Sequence, residues 1–406
     1  MLLIALAVTE LGTTSCGQKA EDKPVPDSVL AKQREDSIKA AAEKEQLEKE
    51  EFLKAISGND SNVVYVSSPE DLNVPYETDL EAGKRIRRVY NGKRINIAVT
   101  GLDSRMGSNG NHADANHVIS ILIDSGVVEI ISIPRDTPAE ANMEDSLQNK
   151  LTIVRANRGR QSYHSELARI AGVDKIHYYV ELSFSQAIGV LELLGFKDAH
   201  STLQVLRSRK ALGGDDYQRC YNQGQFIRQM MLRHFDKFDG LLGEVVIRGG
   251  LALLESNLDA STTKGIVAKL KAKGFPRSKA DITIKVRPCI PINYRVFDFT
   301  DQNVVDGLGK RIEDRNNTHG SDNDTSYKSV KGRLTRLVQT AQADSAAGKY
   351  DKIIKALRIY FDQRAWWQVR DSASRGYIRD EMMYLLSHAY TKRKKLPEAK
   401  KVVEAV

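Results

Sequence analysis

Cysteine is scarce in this chain. Only three occur in 406 residues, Cys16, Cys220 and Cys289. Three cysteines do not make a disulfide framework, and none lies in a metal-ligand spacing, which argues against a structural zinc site. A long apolar run is also missing. The longest, Met1–Val8, is far shorter than the roughly 20 residues a membrane-spanning helix needs. Charge of one sign is not spread through the chain either. The formal net charge is +8, and residues 330–406 alone hold 17 Lys/Arg against 8 Asp/Glu, so the surplus sits in the C-terminal part. No sequence signature of RNA or DNA binding accompanies that charge, so nucleic acid is not an expected partner.

What is present begins at the N-terminus. The apolar run has the size of a signal-peptide core. It is followed by Thr13-Thr14-Ser15-Cys16-Gly17, where small residues precede a cysteine as in a bacterial lipoprotein cleavage site. Residues 1–16 are therefore expected to direct export, with Cys16 lipidated and the protein held on the membrane from outside the cytoplasm. Residues 17–60 are rich in Ala, Glu, Lys and Gln and have few large apolar positions, which predicts an exposed, charged helical tether.

The chain is organised around Arg94–Pro138. Ile95–Thr100, Val118–Asp124 and Val127–Ile133 are dense in Ile and Val and predict buried strands. Asp124-Ser125-Gly126 predicts a tight hairpin turn between the second and third. Helical patterns follow at Ser162–Ala171, Ser183–Leu194, Asp216–Phe238, Gly249–Leu258 and Thr262–Ala272. Strands are expected at His177–Glu181, Leu203–Leu206 and Asp281–Pro288. The alternation predicts an α/β fold, a layered central β-sheet flanked by helices, over residues 61–314.

The strand ends collect charge. Asp103 and Arg105 follow the first strand, Asp114 precedes the second, and Arg135 and Asp136 follow the third. Arg207 and Arg209, two apart on an expected extended segment, would face one side. Arg219 and Gln223 share a face of the long helix. Carboxylates suit a hard cation, Mg²⁺ or Mn²⁺, and arginines suit phosphate. Asp103 and Asp114 are thus the candidate metal ligands. Arg105, Arg135, Arg207, Arg209, Arg219 and Gln223 are the candidate phosphate-binding residues, with Asp103, Asp114 and Arg135 central to catalysis. Taken singly, each also fits a structural ion pair or a cap. The apolar faces Ile188-Val190-Leu191-Leu194 and Phe226-Ile227-Met230-Met231 either line a slot for a lipid or pack as core.

These residues resemble the LytR-CpsA-Psr (LCP) phosphotransferases. The resemblance rests on Gly101-Leu102-Asp103-Ser104-Arg105, His112-Ala113-Asp114-Ala115, Ile133-Pro134-Arg135-Asp136, Arg207-Ser208-Arg209 and Gln218-Arg219-Cys220-Tyr221-Asn222-Gln223, in that order, across roughly residues 90–314. It implies transfer of a phosphate-linked glycopolymer from a polyprenyl-pyrophosphate carrier to peptidoglycan, outside the cytoplasmic membrane. This chain departs from the pattern at three positions. His112 and Asn222 stand where the family has arginines, and Ala115 where it has threonine. Hydrolysis of the polyprenyl pyrophosphate, or a non-catalytic scaffold that holds lipid-linked or wall glycan, are the alternatives.

Residues 315–329 are polar and turn-forming and read as a linker. Residues 330–406 follow a helical pattern. Thr335–Gly348 with the segment after it, and Tyr384–Tyr390 with Leu396–Val403, resemble tetratricopeptide-type helical hairpins. Two such units are too few for an independent solenoid, so this all-α region is expected to pack on the α/β domain or to meet a protein partner. Core packing is expected for at least one of Trp366 and Trp367.

Overall fold

The computed structural model describes residues 63–66, 87–90, 94–103, 107, 111–209, 215–238, 247–290, 292–319 and 327–405. Cys16, Arg105 and the expected segments 1–16 and 17–60 lie outside the described residues. Residues from Val64 onward cluster as one compact unit. Strands β1 (Val63–Val66) and β2 (Arg87–Tyr90) pair as a two-stranded sheet.

The main sheet has six strands: β3 (Ile95–Leu102), β4 (Ala113–Leu122), β5 (Val127–Ile133), β6 (Tyr178–Ser183), β7 (Glu255–Ser256) and β8 (Ile282–Val286). Their spatial order is β7-β6-β3-β4-β5-β8. The hairpin β4–β5 is antiparallel, as is β3–β4, while β3–β6 and β5–β8 run parallel. The central sheet flanked by helices is what the strand–helix alternation implied; its mixed strand directions are seen in the pairing.

Side chains alternate across the sheet, as the strand period requires. Ile97, Ile119, Ile121, Val128, Ile130 and Val180 face one core. That core is shared with α3 (Phe184–Leu193), α4 (Ala199–Arg207), α5 (Asp216–His234), α6 (Ala260–Ala272) and α7 (Gln302–His319). Ala98, Val118, Ile131 and Ile133 face the other core, with α1 (Leu151–Asn157) and α2 (Gly159–Ala171). Gly224 lets α5 lie close on the sheet. A Cβ there would sit 2.9 Å from Ser132 Oγ and 3.0 Å from Ile284 Cγ2.

Four local readings change. Leu203–Leu206 is helix α4, not a strand. Asp198 caps it by accepting a hydrogen bond from Ser201 N at 3.0 Å, so the short apolar run is one face of a capped helix. The expected helix Gly249–Leu258 is interrupted, because Glu255–Ser256 forms the edge strand β7. Strand β4 begins at Ala113, so Asp114 lies within the strand rather than ahead of it. Helix α7 runs to His319 and the next begins at Tyr327, so both ends of the expected linker are helical.

The C-terminal region is two helical hairpins, α8 (Tyr327–Ala346) with α9 (Tyr350–Asp362) and α10 (Ser372–Lys392) with α11 (Leu396–Glu404). The 3-10 turn Ala365–Gln368 joins them. They have their own core, including Leu334, Val338, Leu357, Trp366, Met382 and Leu386. They also dock on the α/β layers. Trp366 is buried in the helical core, while Trp367 packs against both cores.

Candidate functional site

The parallel and antiparallel pairings bring four strand termini to one edge of the sheet. The end of β3 pairs with the start of β4 (Leu102 opposite Ala113) and with the end of β6 (Leu102 opposite Ser183). The end of β5 pairs with the first half of β4 (Ile133 opposite Asn116). Asp103, Asp114, Arg135 and Ser183 therefore converge although up to 80 residues separate them. Open α/β sheets commonly bind ligands outside the carboxyl ends of their strands.

A cavity of about 190 Å³ opens here. Its body is apolar, lined by Val99, Leu182, Phe184, Ala187, Leu203 and Ile227 among others, and its polar end carries Asp103, Asp114, Arg207, Arg219 and Gln223. Of the two apolar faces expected from the sequence, Val190, Leu191, Leu194, Phe226 and Ile227 line the cavity. Ile188, Met230 and Met231 are fully buried core instead.

Two ion-paired groups surround the polar end, and in the second Arg135 and Asp216 pair with lining residues without lining the cavity themselves. In the first, Arg207 Nη2 lies 3.8 Å from Asp103 Oδ1, and the Arg207 guanidinium sits 4.7 Å from the centre of the Phe184 ring. In the second, Arg135 Nη1 donates to Asp114 Oδ1 at 2.6 Å, both side chains being about one-fifth exposed. Burial works against the Arg135 charge, but Asp114, aided by Asp136 and Asp216, outweighs it and holds the guanidinium pKa above its ordinary value. Arg219, almost fully buried, donates from Nη2 to the Asp114 carbonyl at 3.1 Å and pairs with Asp216 Oδ1 at 2.5 Å.

Asp216 is the residue that sequence reasoning missed. It accepts from the Arg135 backbone N–H at 3.0 Å and lies 3.7 Å from Arg209 Nε, in addition to its pair with Arg219. It thus ties three arginines from three segments together. The signal was available: Asp216 and Arg219 stand i, i+3 on one helix face. Burial raises the Asp216 carboxyl pKa, against the opposing pull of Arg219.

Arg207 and Arg209 do not act as one pair. Arg207 ends a helix and turns to Asp103, while Arg209 lies beyond it, near Asp136 at 4.0 Å and Asp216. Arg209 does not line the cavity. Gln223 is committed on both sides. Its Oε1 lies 3.2 Å from His117 Nε2, and its Nε2 donates to the Leu206 carbonyl at 3.0 Å. Burial lowers the His117 pKa to about 4; the Gln223 hydrogen bond opposes this and Arg219 adds to it. His117 is therefore neutral near pH 7, bridging Ser132 Oγ (2.9 Å) and Gln223. Of the departures noted above, His112 is exposed, Asn222 turns into the fold to accept from Gln218 Nε2 at 2.8 Å, and Ala115 packs 3.0 Å from where a Gly101 Cβ would stand.

Among the described residues, no group of three or more His, Cys, Asp or Glu side chains is placed to hold a metal ion. Cys220 and Cys289 are free thiols. No described helix is long and apolar enough to cross a membrane.

The LytR_cpsA_psr family model matches residues 37–195. The match takes in β3 to α3, and with them Asp103, Asp114 and Arg135, and stops short of Arg207, Asp216 and Arg219. Among solved structures, TagV from B. subtilis shares 15% identity over 55% of this chain and 97% of its own, with a TM-score of 0.40. A protein from Enterococcus faecalis described as a transcriptional regulator shares 18% over 54% and 87%, with a TM-score of 0.38. TagT bound to LIIa-WTA shares 16% over 56% and 91%, with a TM-score of 0.35. No curated protein matched the chain.

Proposed function

We propose that this protein is an LCP-type transferase of the cell envelope, moving a phosphate-linked glycopolymer from a polyprenyl-pyrophosphate carrier to a peptidoglycan acceptor. One observation carries the reading. An apolar cavity opens at its polar end onto two carboxylates and two arginines, as an amphiphile with an apolar chain and a pyrophosphate head requires. The match of residues 37–195 to the LytR_cpsA_psr family supports it. The cavity is smaller than the ~300–1,000 Å³ typical of ligand pockets, so at this size only part of a long lipid enters.

Phosphoryl transfer depends on positioning and charge neutralisation more than on covalent help. In the proposed reaction an acceptor hydroxyl oxygen bonds the glycan-side phosphorus. The bridging P–O bond to polyprenyl phosphate breaks, and the hydroxyl proton passes to a carboxylate of the cluster. In this reading Arg207 and Arg219, which line the cavity, and Arg135, which does not line it but is bonded to the lining Asp114, meet phosphate oxygens with charge-assisted hydrogen bonds. Arg135 reaches phosphate by loosening its bond to Asp114.

Mg²⁺ or Mn²⁺ suits the donor chemistry. Asp103 and Asp114 offer hard oxygens, and an ion of this kind takes one or two protein carboxylates and keeps other positions for water and substrate. Bound there, it would neutralise charge on the pyrophosphate oxygens.

A second reading, holding of lipid-linked glycan without turnover, draws on two observations. Asn222 is turned away into the fold, and Gln223 is committed to His117 and Leu206. One experiment separates the readings. The full-length protein is incubated with a polyprenyl-pyrophosphate glycan, Mg²⁺ and peptidoglycan fragments. Transfer gives a phosphodiester-linked product that requires the acceptor and is lost with EDTA. Phosphate-ended glycan formed without acceptor would make the protein a hydrolase. Tight, metal-independent binding without product would make it a holding protein.

A further inference from the structure

The C-terminal helical region touches the α/β layers where the cavity is built. Helix α3 is one cavity wall: Phe184, Ala187, Val190 and Leu191 point inward. Its back carries the docked region. Gln368 Nε2 donates to Ser185 Oγ at 2.8 Å, Arg375 Nη1 pairs with Glu192 Oε2 at 2.5 Å, and the Trp367 ring lies against Gly189. A Cβ at Gly189 would stand 3.0–3.2 Å from the indole, so the contact is as close as a glycine allows. The wall is thus held between the cavity on one side and the helical region on the other.

Gln363, just after α9, reaches further round. Its side-chain Oε1 accepts a hydrogen bond from the Gly107 backbone N–H at 2.9 Å. Its backbone carbonyl accepts from Ser183 Oγ at 3.5 Å. Gly107 lies four residues after Asp103 at the end of β3, and Ser183 ends β6, the parallel neighbour of β3. Gly107 has φ +77°, and a Cβ there would stand 2.4 Å from Tyr360 Oη on α9. One residue of the helical region therefore contacts both the end of β6 and a glycine five residues beyond the end of β3, its parallel neighbour. The circuit closes on the cavity side, because Phe184, next to Ser183, stacks under Arg207, which faces Asp103.

We infer that Gln363 is a positioning residue for this site. By accepting the Gly107 N–H it fixes the far end of the chain that leaves Asp103, and with Trp367 behind α3 it makes the C-terminal helical region part of the substrate site. A region serving only as a partner-binding appendage would have no need to hold Ser183 and Gly107, on either side of the site's polar end. The ligand used in the test rests on the reading proposed above; the inference about Gly107 does not.

The chemistry selects the variants. Gln363→Met keeps length and bulk but has no strong acceptor. Gln363→Glu keeps an oxygen able to accept the N–H. Two measurements on the full-length protein are compared across wild type and both variants. The first is hydrogen exchange of the Gly107 amide. The second is the dissociation constant for farnesyl pyrophosphate with Mg²⁺, a soluble probe with a short prenyl chain. Losing one hydrogen bond should speed exchange at Gly107 and weaken the probe by about fivefold to tenfold in Gln363→Met. Gln363→Glu should stay within about twofold of wild type in both, a rescue that packing alone would not produce. Unchanged Gly107 exchange in Gln363→Met overturns the inference, whatever the probe does. Equal loss in both variants overturns it too, because it would show general damage to the interface. If wild type fails to bind farnesyl pyrophosphate, the functional reading falls, and the exchange data still decide the role of Gln363.

Discussion

Strand β6 carries cavity residues on one face and a buried carboxylate on the other, and that carboxylate gives the sharpest stability prediction. The Glu181 side chain is completely buried. Arg155 grips it with two hydrogen bonds, Nε to Oε1 at 2.7 Å and Nη2 to Oε2 at 2.8 Å, and Arg160 adds a third at 2.7 Å. In Glu181→Gln one oxygen remains to accept, the charge is lost, and Arg155, itself 11% exposed, is left without its counter-ion. Arg160 keeps Glu255 as a partner. Hydrogen bonds to charged groups contribute about 1.5–3 kcal/mol each, and removing one partner of a buried pair costs about 3–5 kcal/mol. Because Arg160 remains paired, the expected loss is at the low end, about 3 kcal/mol, roughly a hundredfold in the folding constant.

The pH dependence provides an internal check. Burial alone would raise the Glu181 pKa, but the two arginines outweigh it and hold the pKa below its ordinary value. A depressed carboxylate contributes stability above its unfolded pKa and loses it as pH falls through the folded one. The gap between wild type and Glu181→Gln should therefore be full at pH 7 and shrink below about pH 4.3, the unfolded value for glutamate. Urea unfolding followed by far-UV circular dichroism at pH 7, 5 and 3.5 measures it. A gap under about 1 kcal/mol at pH 7, or one that is the same at pH 3.5, would refute the network as a source of stability.

Three further predictions concern the site. Arg135→Ala should weaken farnesyl pyrophosphate by about 2–3 kcal/mol, roughly fiftyfold, and abolish detectable transfer, with Arg135→Lys restoring only part of the affinity because it lacks the planar fork; isothermal titration and the transfer assay check both. Ala187→Phe puts a ring into the apolar body of the cavity, so farnesyl pyrophosphate should weaken about tenfold while inorganic pyrophosphate binds within about twofold of wild type. The buried His117, with its pKa lowered to about 4, stays neutral in the folded protein while the unfolded residue protonates near pH 6.5. It therefore contributes stability above pH 6.5 that is lost as pH falls from 6.5 toward 4, up to about 3 kcal/mol, and His117→Asn should show a shallower decline in urea midpoint over that range.

Local pattern carried much of this molecule. The β-branched run Val127–Ile133 reads as a buried strand and has those bounds in the structure. Asp124-Ser125-Gly126 reads as the turn that makes β4 and β5 a hairpin, and the pairing register confirms it. Leu203–Leu206 shows where pattern fails. Four apolar-rich residues fit strand or helix equally, and what decides is the Asp198 cap four residues upstream of Thr202. That one misreading also misplaced the two arginines after it. On an extended segment Arg207 and Arg209 would share a side; after a helix end they face different carboxylates.

The sequence by itself determined the chemistry on offer: carboxylates and guanidiniums at strand ends, apolar faces on α3 and α5, and a helical, basic C-terminal region. Each follows from residue type and short-range period, which act within a few positions. Tertiary structure decided who meets whom. Arg135 is 21 residues from Asp114 and 81 from Asp216, and Gln363 is 256 from Gly107. Those encounters depend on strand order, on how closely α5 approaches the sheet at Gly224, and on where the last helices dock. These are properties of packed surfaces, which no local window of residues encodes.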